Sequence, residues 1–190
     1  LISFLSQDDI PRLTNGPKVV EFEQKWSDWL GVENSVFVNS GSSANQLTML
    51  SIKHLYGPGE IILSPLNWIS DVSAVIQNGF KPVFVDINYH NLALNENLIL
   101  QKINKNTRAI LLTHILGLNG LTDTILNICK ENNILLIEDV CESHGTTHNG
   151  QLVGSFGDVS NFSFFYAHHI TTIEGGMVCT NNEEIYQHSR

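Results

Sequence analysis

Ile134-Leu135-Leu136-Ile137-Glu138 is a five-residue run, apolar until its last position, that delivers Asp139-Val140-Cys141-Glu142-Ser143-His144-Gly145. So short a run, rich in branched aliphatics, reads as a strand buried on both faces. Four similar runs precede it, at 35–38 (Ser-Val-Phe-Val), 60–63 (Glu-Ile-Ile-Leu), 82–87 and 109–114. The stretches around and between them, 17–30, 43–55, 68–78, 95–104 and 122–132, carry apolar residues at helical spacing. In the first, Val19, Phe22, Trp26 and either Trp29 or Leu30 share a face. Asp123 or Thr122 supplies a cap for the last. After residue 145 the runs shorten to 151–154, 158–165 and 176–180, punctuated by Gly150, Gly154, Gly157, Gly175 and Gly176. Strands alternating with helices predict an α/β fold: three layers, with a mostly parallel sheet covered by helices on both faces. Ligands of such sheets collect at the carboxyl ends of the strands.

The 190 residues suffice for one domain with a sizeable core, and a charged share of 15% against 42% hydrophobic fits a globular chain. No apolar run approaches the ~20 residues of a membrane span. The opening Leu1-Ile2-Ser3-Phe4-Leu5-Ser6 has neither a basic leader nor a cleavage site, and no initiator Met, which points to a cytoplasmic chain cut from something longer. A net charge of −9 argues against a general nucleic-acid binder. Cys129, Cys141 and Cys179 are scattered and odd in number, as expected of buried thiols in a reducing compartment. The eight histidines lack metal-ligand spacing, so no metal site is expected.

Four segments carry candidate chemistry. Asn39-Ser40-Gly41-Ser42-Ser43-Ala44-Asn45 links a strand to a helix start, where free N–H groups favour an anion. It reads as a phosphate cradle or as a plain helix cap. The acids of 138–142 leave an apolar strand end, where they need partners. One of them could hold a protonated heterocyclic nitrogen, or they could serve as caps and structural acids. Trp68, just past the strand 60–63, is placed to stack on a planar ring or to fill core. His168 and His169, between an aromatic run and Gly175-Gly176, are proton shuttles or satisfied structural groups.

Taken together and in this order, the four segments resemble the DegT/StrS-type sugar aminotransferase family, which has the aspartate-aminotransferase fold (fold type I). The resemblance takes in Gly16-Pro17-Lys18-Val19-Val20-Glu21-Phe22-Glu23, Lys81-Pro82-Val83-Phe84-Val85-Asp86 and the glycine framework from Gly145 to Asp158. It implies that residues 1–190 are an N-terminal segment and the large cofactor-binding domain, with the small C-terminal domain absent. It further implies pyridoxal 5'-phosphate or pyridoxamine 5'-phosphate as cofactor. Gly41, Ser42, Ser43 and Ser163 would cradle the phosphate, Trp68 stack on the ring and Asp139 pair with its nitrogen. Glu142 stands where transaminating members have Gln, near the ring hydroxyl.

One position departs from the pattern. Transaminating relatives read Ser-Phe-x-x-x-Lys-Asn before Glu-Gly-Gly, and that lysine forms the Schiff base; here ungapped alignment puts His168 on it, with His169 one residue away. A His-His pair is similar to the lysine-less 3-dehydratase branch, represented by GDP-4-keto-6-deoxymannose 3-dehydratases and by an iron–sulfur-dependent CDP-sugar relative. The implied activity is C3 deoxygenation of a nucleotide-linked 4-keto-6-deoxy sugar with His168 as catalytic base, in deoxysugar and lipopolysaccharide O-antigen synthesis. Glutamate would restore the amine, and the full-length form would be a homodimer. A nucleotide-sugar aminotransferase homologue and an inactive paralogue serving as an interaction module are the alternatives.

Overall fold

The computed structural model describes residues 2–10 and 12–190; Leu1, the first residue of the stretch read for a leader, and Pro11 lie outside it. In chain order the elements are α1 (Ile2–Leu5), α2 (Pro17–Leu30), β1 (Asn34–Val38), α3 (Gly41–Tyr56), β2 (Glu60–Leu63), α4 (Ile69–Gln77), β3 (Lys81–Phe84) and α5 (Glu96–Ile99). They continue with β4 (Thr107–Thr113), α6 (Asp123–Asn132), β5 (Leu135–Asp139), β6 (Thr147–His148), β7 (Gln151–Leu152), β8 (Val159–Ser163), β9 (Gly176–Thr180) and α7 (Glu183–Ser189).

Seven strands form one sheet in the order β1-β9-β8-β5-β4-β2-β3. The pairings from β3 to β8 are parallel, and β9 runs antiparallel between β8 and β1. Strand side chains alternate between faces, so each helical layer meets every second residue. Ile61, Leu63, Ala109, Leu111 and Ile137 pack with Met49 and Ile52 of α3, Val75 of α4 and Ile185 of α7. Ile62, Ile110, Leu112 and Leu136 face the other way, onto Ile99, Ile125 and Ile128. A third cluster, Trp26 and Leu30 with Phe162, Phe164 and Met177, fastens α2 over β8 and β9. Each fully buried aliphatic or aromatic side chain contributes roughly 1.5–3 kcal/mol. These clusters therefore hold the strand ends, and whatever chemistry they carry, in place.

The three-layer, mostly parallel sheet expected from the alternation is the one observed. Two details differ. The expected helix at 95–104 ends at Ile99, because Asn and Thr side chains take over the backbone donors beyond it. Thr107 Oγ1 accepts from Asn104 N–H at 3.0 Å, and Asn104 Oδ1 from Asn106 N–H at 2.9 Å. On α2 the fourth core position is Leu30, 3% exposed, whereas Trp29 is 42% exposed. Thr122, not Asp123, caps α6, accepting from Ile125 N–H at 3.2 Å. Among the described residues no helix is long and apolar enough to cross a membrane.

Candidate active site

Chemistry gathers where β4, β5 and β8 end, opposite the start of α3. Ser40 caps that helix, its Oγ accepting from Ser43 N–H at 3.1 Å while its hydroxyl donates to Ser43 Oγ at 3.1 Å. A Cβ on Gly41 would lie 2.7 Å from Ser163 Cβ and 3.0 Å from Cys141 Sγ. Only glycine lets the helix start come so near the end of β8. Gly41, Ser43 and Ser163 thus converge on one turn, with Ser42 exposed on it. The unpaired N–H groups and dipole of a 16-residue helix favour an anion there.

Behind the cradle lies a buried polar chain. Thr48 Oγ1 donates to Asn161 Oδ1 at 2.8 Å, and Asn161 Nδ2 donates to Asn45 Oδ1 at 2.7 Å. That fixes the Asn45 amide, whose Nδ2 donates to Asp71 Oδ1 at 2.7 Å and reaches Asp139 Oδ2 at 3.4 Å. Asp139 also accepts from Cys141 N–H at 2.9 Å, and Asp71 from Thr113 Oγ1 at 3.0 Å. Burial, then the neighbouring Asp139 charge, pushes the Asp71 carboxyl well above the usual carboxylate range. The same two causes raise the Cys141 thiol.

Sequence reasoning singled out Asp139 but missed Asp71 and Thr113, and quoted Asn45 and Asn161 without a role. A signal for Asp71 existed. It falls three and four residues before Ala74 and Val75, on the face of α4 that the apolar spacing marks as buried.

The remaining acids divide. Glu138, fully buried, serves the fold: its carboxylate accepts N–H groups from Gly154, Phe156 and Gly157 at 2.9, 3.0 and 2.7 Å. His114 Nδ1 accepts from Gly120 N–H at 3.1 Å, so Nε2 carries the proton that faces Glu138 at 3.1 Å. Burial works to raise the Glu138 carboxyl, but these donors hold it below its ordinary value. Glu142, by contrast, faces the site, anchored by Leu116 N–H at 2.9 Å.

The loop from Phe164 to Gly175 carries the histidine pair. His168 is half-buried and His169 exposed. Burial lowers the affinity of His168 for a proton, against the pull of Glu142 and Asp139. His144 stands behind the pair, its ring 6.3 Å from that of His168 and 5.8 Å from that of His169. Burial and then those two rings bring His144 down to about 4. Trp68, 66% exposed, sits at the rim as the residue before α4, and Ser70 in the next turn lies 3.3 Å from Asn45. All seven lysines are exposed, and the one on α3, Lys53, lies in the last turn of that helix, away from its start at the site. Among the described residues no three or more His, Cys, Asp or Glu side chains are grouped to hold a metal ion. The arrangement offers an anion seat, a buried carboxylate with no cation bonded to it among the described residues, an exposed indole at the rim and an imidazole whose proton affinity burial has lowered.

The model of the DegT/DnrJ/EryC1/StrS aminotransferase family matches residues 7–190. The chain is 36% identical over 181 residues to the dTDP-4-dehydro-2,6-dideoxy-D-glucose 3-dehydratase of Saccharopolyspora spinosa, covering 92% of this chain and 39% of that protein. It is 36% identical over 172 residues to a GDP-perosamine synthase of Vibrio cholerae, covering 90% and 47%. Among solved structures, Escherichia coli GDP-4-keto-6-deoxy-D-mannose-3-dehydratase with bound hydrated PLP superposes with a TM-score of 0.87 at 35% identity, covering 92% of this chain and 46% of that one. The chain thus spans less than half the length of each of these proteins.

Proposed function

The chain belongs to the DegT/DnrJ/EryC1/StrS aminotransferase family, and on that footing we propose that it is the large-domain part of a lysine-less 3-dehydratase. Its substrate is a nucleotide-linked 4-keto-6-deoxy sugar, and its cofactor is pyridoxamine or pyridoxal 5'-phosphate, held without a covalent bond. The observation that carries this reading is His168, half-buried beside Asp139 and Glu142, in a site that no lysine reaches.

The residues present fit the cofactor. Gly41, Ser42, Ser43 and Ser163 would take the phosphate, where a Cβ at Gly41 would obstruct the seat. Asp139, buried and bonded only to neutral donors, would face the ring nitrogen, Trp68 the ring, and Glu142 the ring hydroxyl. When bound, the pyridinium ring supplies an electron sink. His168 does the proton work: neutral near pH 7, it accepts a proton on a ring nitrogen and then, as imidazolium, delivers one to the departing C3 hydroxyl. Behind it stands His144, whose ring is packed against Trp26, Phe162 and Phe164 and makes that side apolar. An imidazole cannot replace a lysine amine in covalent attachment, so the amine needed for each turnover comes from outside, and glutamate is the donor we assign. The full-length protein is taken to be a cytoplasmic homodimer serving deoxysugar and lipopolysaccharide O-antigen synthesis.

An aminotransferase reading stays open because the synthase from Vibrio cholerae is as similar as the dehydratases. The two are separated by incubating the complete protein with pyridoxamine phosphate, glutamate and a nucleotide 4-keto-6-deoxy sugar. The dehydratase reading expects a 3-deoxy sugar and ammonia, and borohydride that fixes no cofactor to protein. An accumulating amino sugar, or cofactor fixed by borohydride, overturns it. In the His168→Lys variant, fixation should appear and ammonia release should fall.

A further inference from the structure

Asp71 is a carboxyl group for which the proposed chemistry has no use, yet it is fully buried at the heart of the site. It borders Asp139, itself 3% exposed, and the two carboxylates share one donor, Asn45 Nδ2, at 2.7 and 3.4 Å. Their other donors are Asn45 Nδ2, Thr113 Oγ1 and Cys141 N–H, all neutral. Two carboxylates in contact, away from water and without a bonded cation, cannot both stay ionised. One proton must be retained. With Thr48 donating to Asn161 and Asn161 Nδ2 to Asn45 Oδ1, the Asn45 amide turns its Nδ2 toward both acids. The acid–acid contact therefore needs its own proton.

We propose that Asp71 holds that proton and donates it to Asp139, making Asp71 a positioning residue that orients the Asp139 carboxylate and keeps the pair at a single negative charge. Asp139 is the partner that stays ionised, for two reasons. It has the backbone N–H of Cys141, and it faces His144 and His168, which it draws toward protonation. Asp71 is bonded to Asn45 and Thr113 and lies beside Cys141 and Asp139, and among the described residues no histidine is bonded to it. The pair then presents one negative charge to one ring cation. This last statement rests on the cofactor reading above; the location of the proton does not.

The test has two arms, both on the full chain. In the first, difference infrared spectra of cofactor-free protein compare wild type with Asp71→Asn and Asp139→Asn at neutral pH. A protonated carboxyl C=O band should be present in wild type, vanish in Asp71→Asn, and shift in Asp139→Asn. Absence of the band in wild type, or its loss in Asp139→Asn but not in Asp71→Asn, overturns the assignment. In the second, pyridoxamine phosphate binding is titrated. Asp71→Asn, which keeps a donor toward Asp139, should bind within about threefold of wild type, and Asp71→Ala about tenfold more weakly. Equal binding by Asp71→Ala removes the positioning role. If wild type binds no pyridoxamine phosphate while the band behaves as stated, the cofactor reading fails and the shared proton stands.

Discussion

His144 and His168 present their rings 6.3 Å apart, and no sound hydrogen bond reaches either His144 nitrogen among the described residues, although the Ser163 backbone is near enough to bias the ring. A cation on one ring therefore opposes a cation on the other, and His144 stays neutral down to about 4.

Stability should follow from that. In the unfolded chain His144 takes up a proton near 6.5, and in the fold only near 4. Between those values the unfolded state binds more protons, so the fold loses stability as pH falls from 6.5 toward 4, and the ring has no effect above that window. Discounted for partial exposure, the loss is on the order of 2 kcal/mol. Urea denaturation at pH 7.5 and at pH 5 should show roughly 1 kcal/mol of this drop in wild type, and a smaller one in His144→Phe.

His168 should give the activity of the complete enzyme its acid limb. In the proposed reaction the working form is the neutral base, and the proton affinity of His168 lies below its ordinary value. The rate plateau should thus extend below that value before falling. Glu142→Gln removes a charge that raises His168, so the midpoint of the limb should move to still lower pH. A pH–rate profile of both proteins decides the point, and a midpoint that moves upward contradicts it.

Gly41→Ala should be costly in two ways. The new Cβ meets Ser163 Cβ at 2.7 Å and Cys141 Sγ at 3.0 Å, so the helix start must retreat from β8. Overpacking of this kind destabilises by about 1–3 kcal/mol, seen in urea denaturation. Inorganic phosphate should protect the variant less than wild type against thermal unfolding.

Trp68→Ala is expected to separate binding from folding. At 66% exposure the indole supports little of the core, so stability should change by less than about 0.5 kcal/mol. Lost ring stacking is worth about 1 kcal/mol, or roughly fivefold in pyridoxamine phosphate affinity by calorimetry.

Glu138→Gln has the opposite profile. The amide cannot satisfy three backbone N–H groups and the His114 Nε2–H together, and leaving buried donors unpaired should cost about 3 kcal/mol in chemical denaturation.

The strand ends were legible in the sequence because parallel strands bury both faces and spell themselves as aliphatic runs; 60–63 and 134–138 come within a residue of β2 and β5. The cradle at Gly41 and the acid at Asp139 were legible because each follows such a run. Asp71 was hidden by its company, since a polar residue on an amphipathic helix is ordinarily assigned to the wet face. The spacing of Ala74 and Val75 marks its face as buried, but its partners, Thr113 on β4 and Asn45 on α3, are of long sequence separation and no local pattern names them. Glu138 and Asp139 are adjacent and chemically alike, and only the glycine turn at 154–157 decides which of them is structural.

The loop that carries His168 leaves the sheet at Ser163 and re-enters at Gly176, residues paired across β8 and β9. Its neck is tied by main-chain bonds, Phe164 N–H to the Gly175 carbonyl at 2.8 Å and Thr172 N–H to the Phe164 carbonyl at 3.0 Å, and by the Thr171 and Thr172 hydroxyls on the Phe164 and Glu174 carbonyls. Closure of this kind asks nothing of the side chains at the tip. The residue at 168 is consequently free to change without disturbing the sheet, so the chemistry offered at the loop tip can vary while the whole scaffold is inherited.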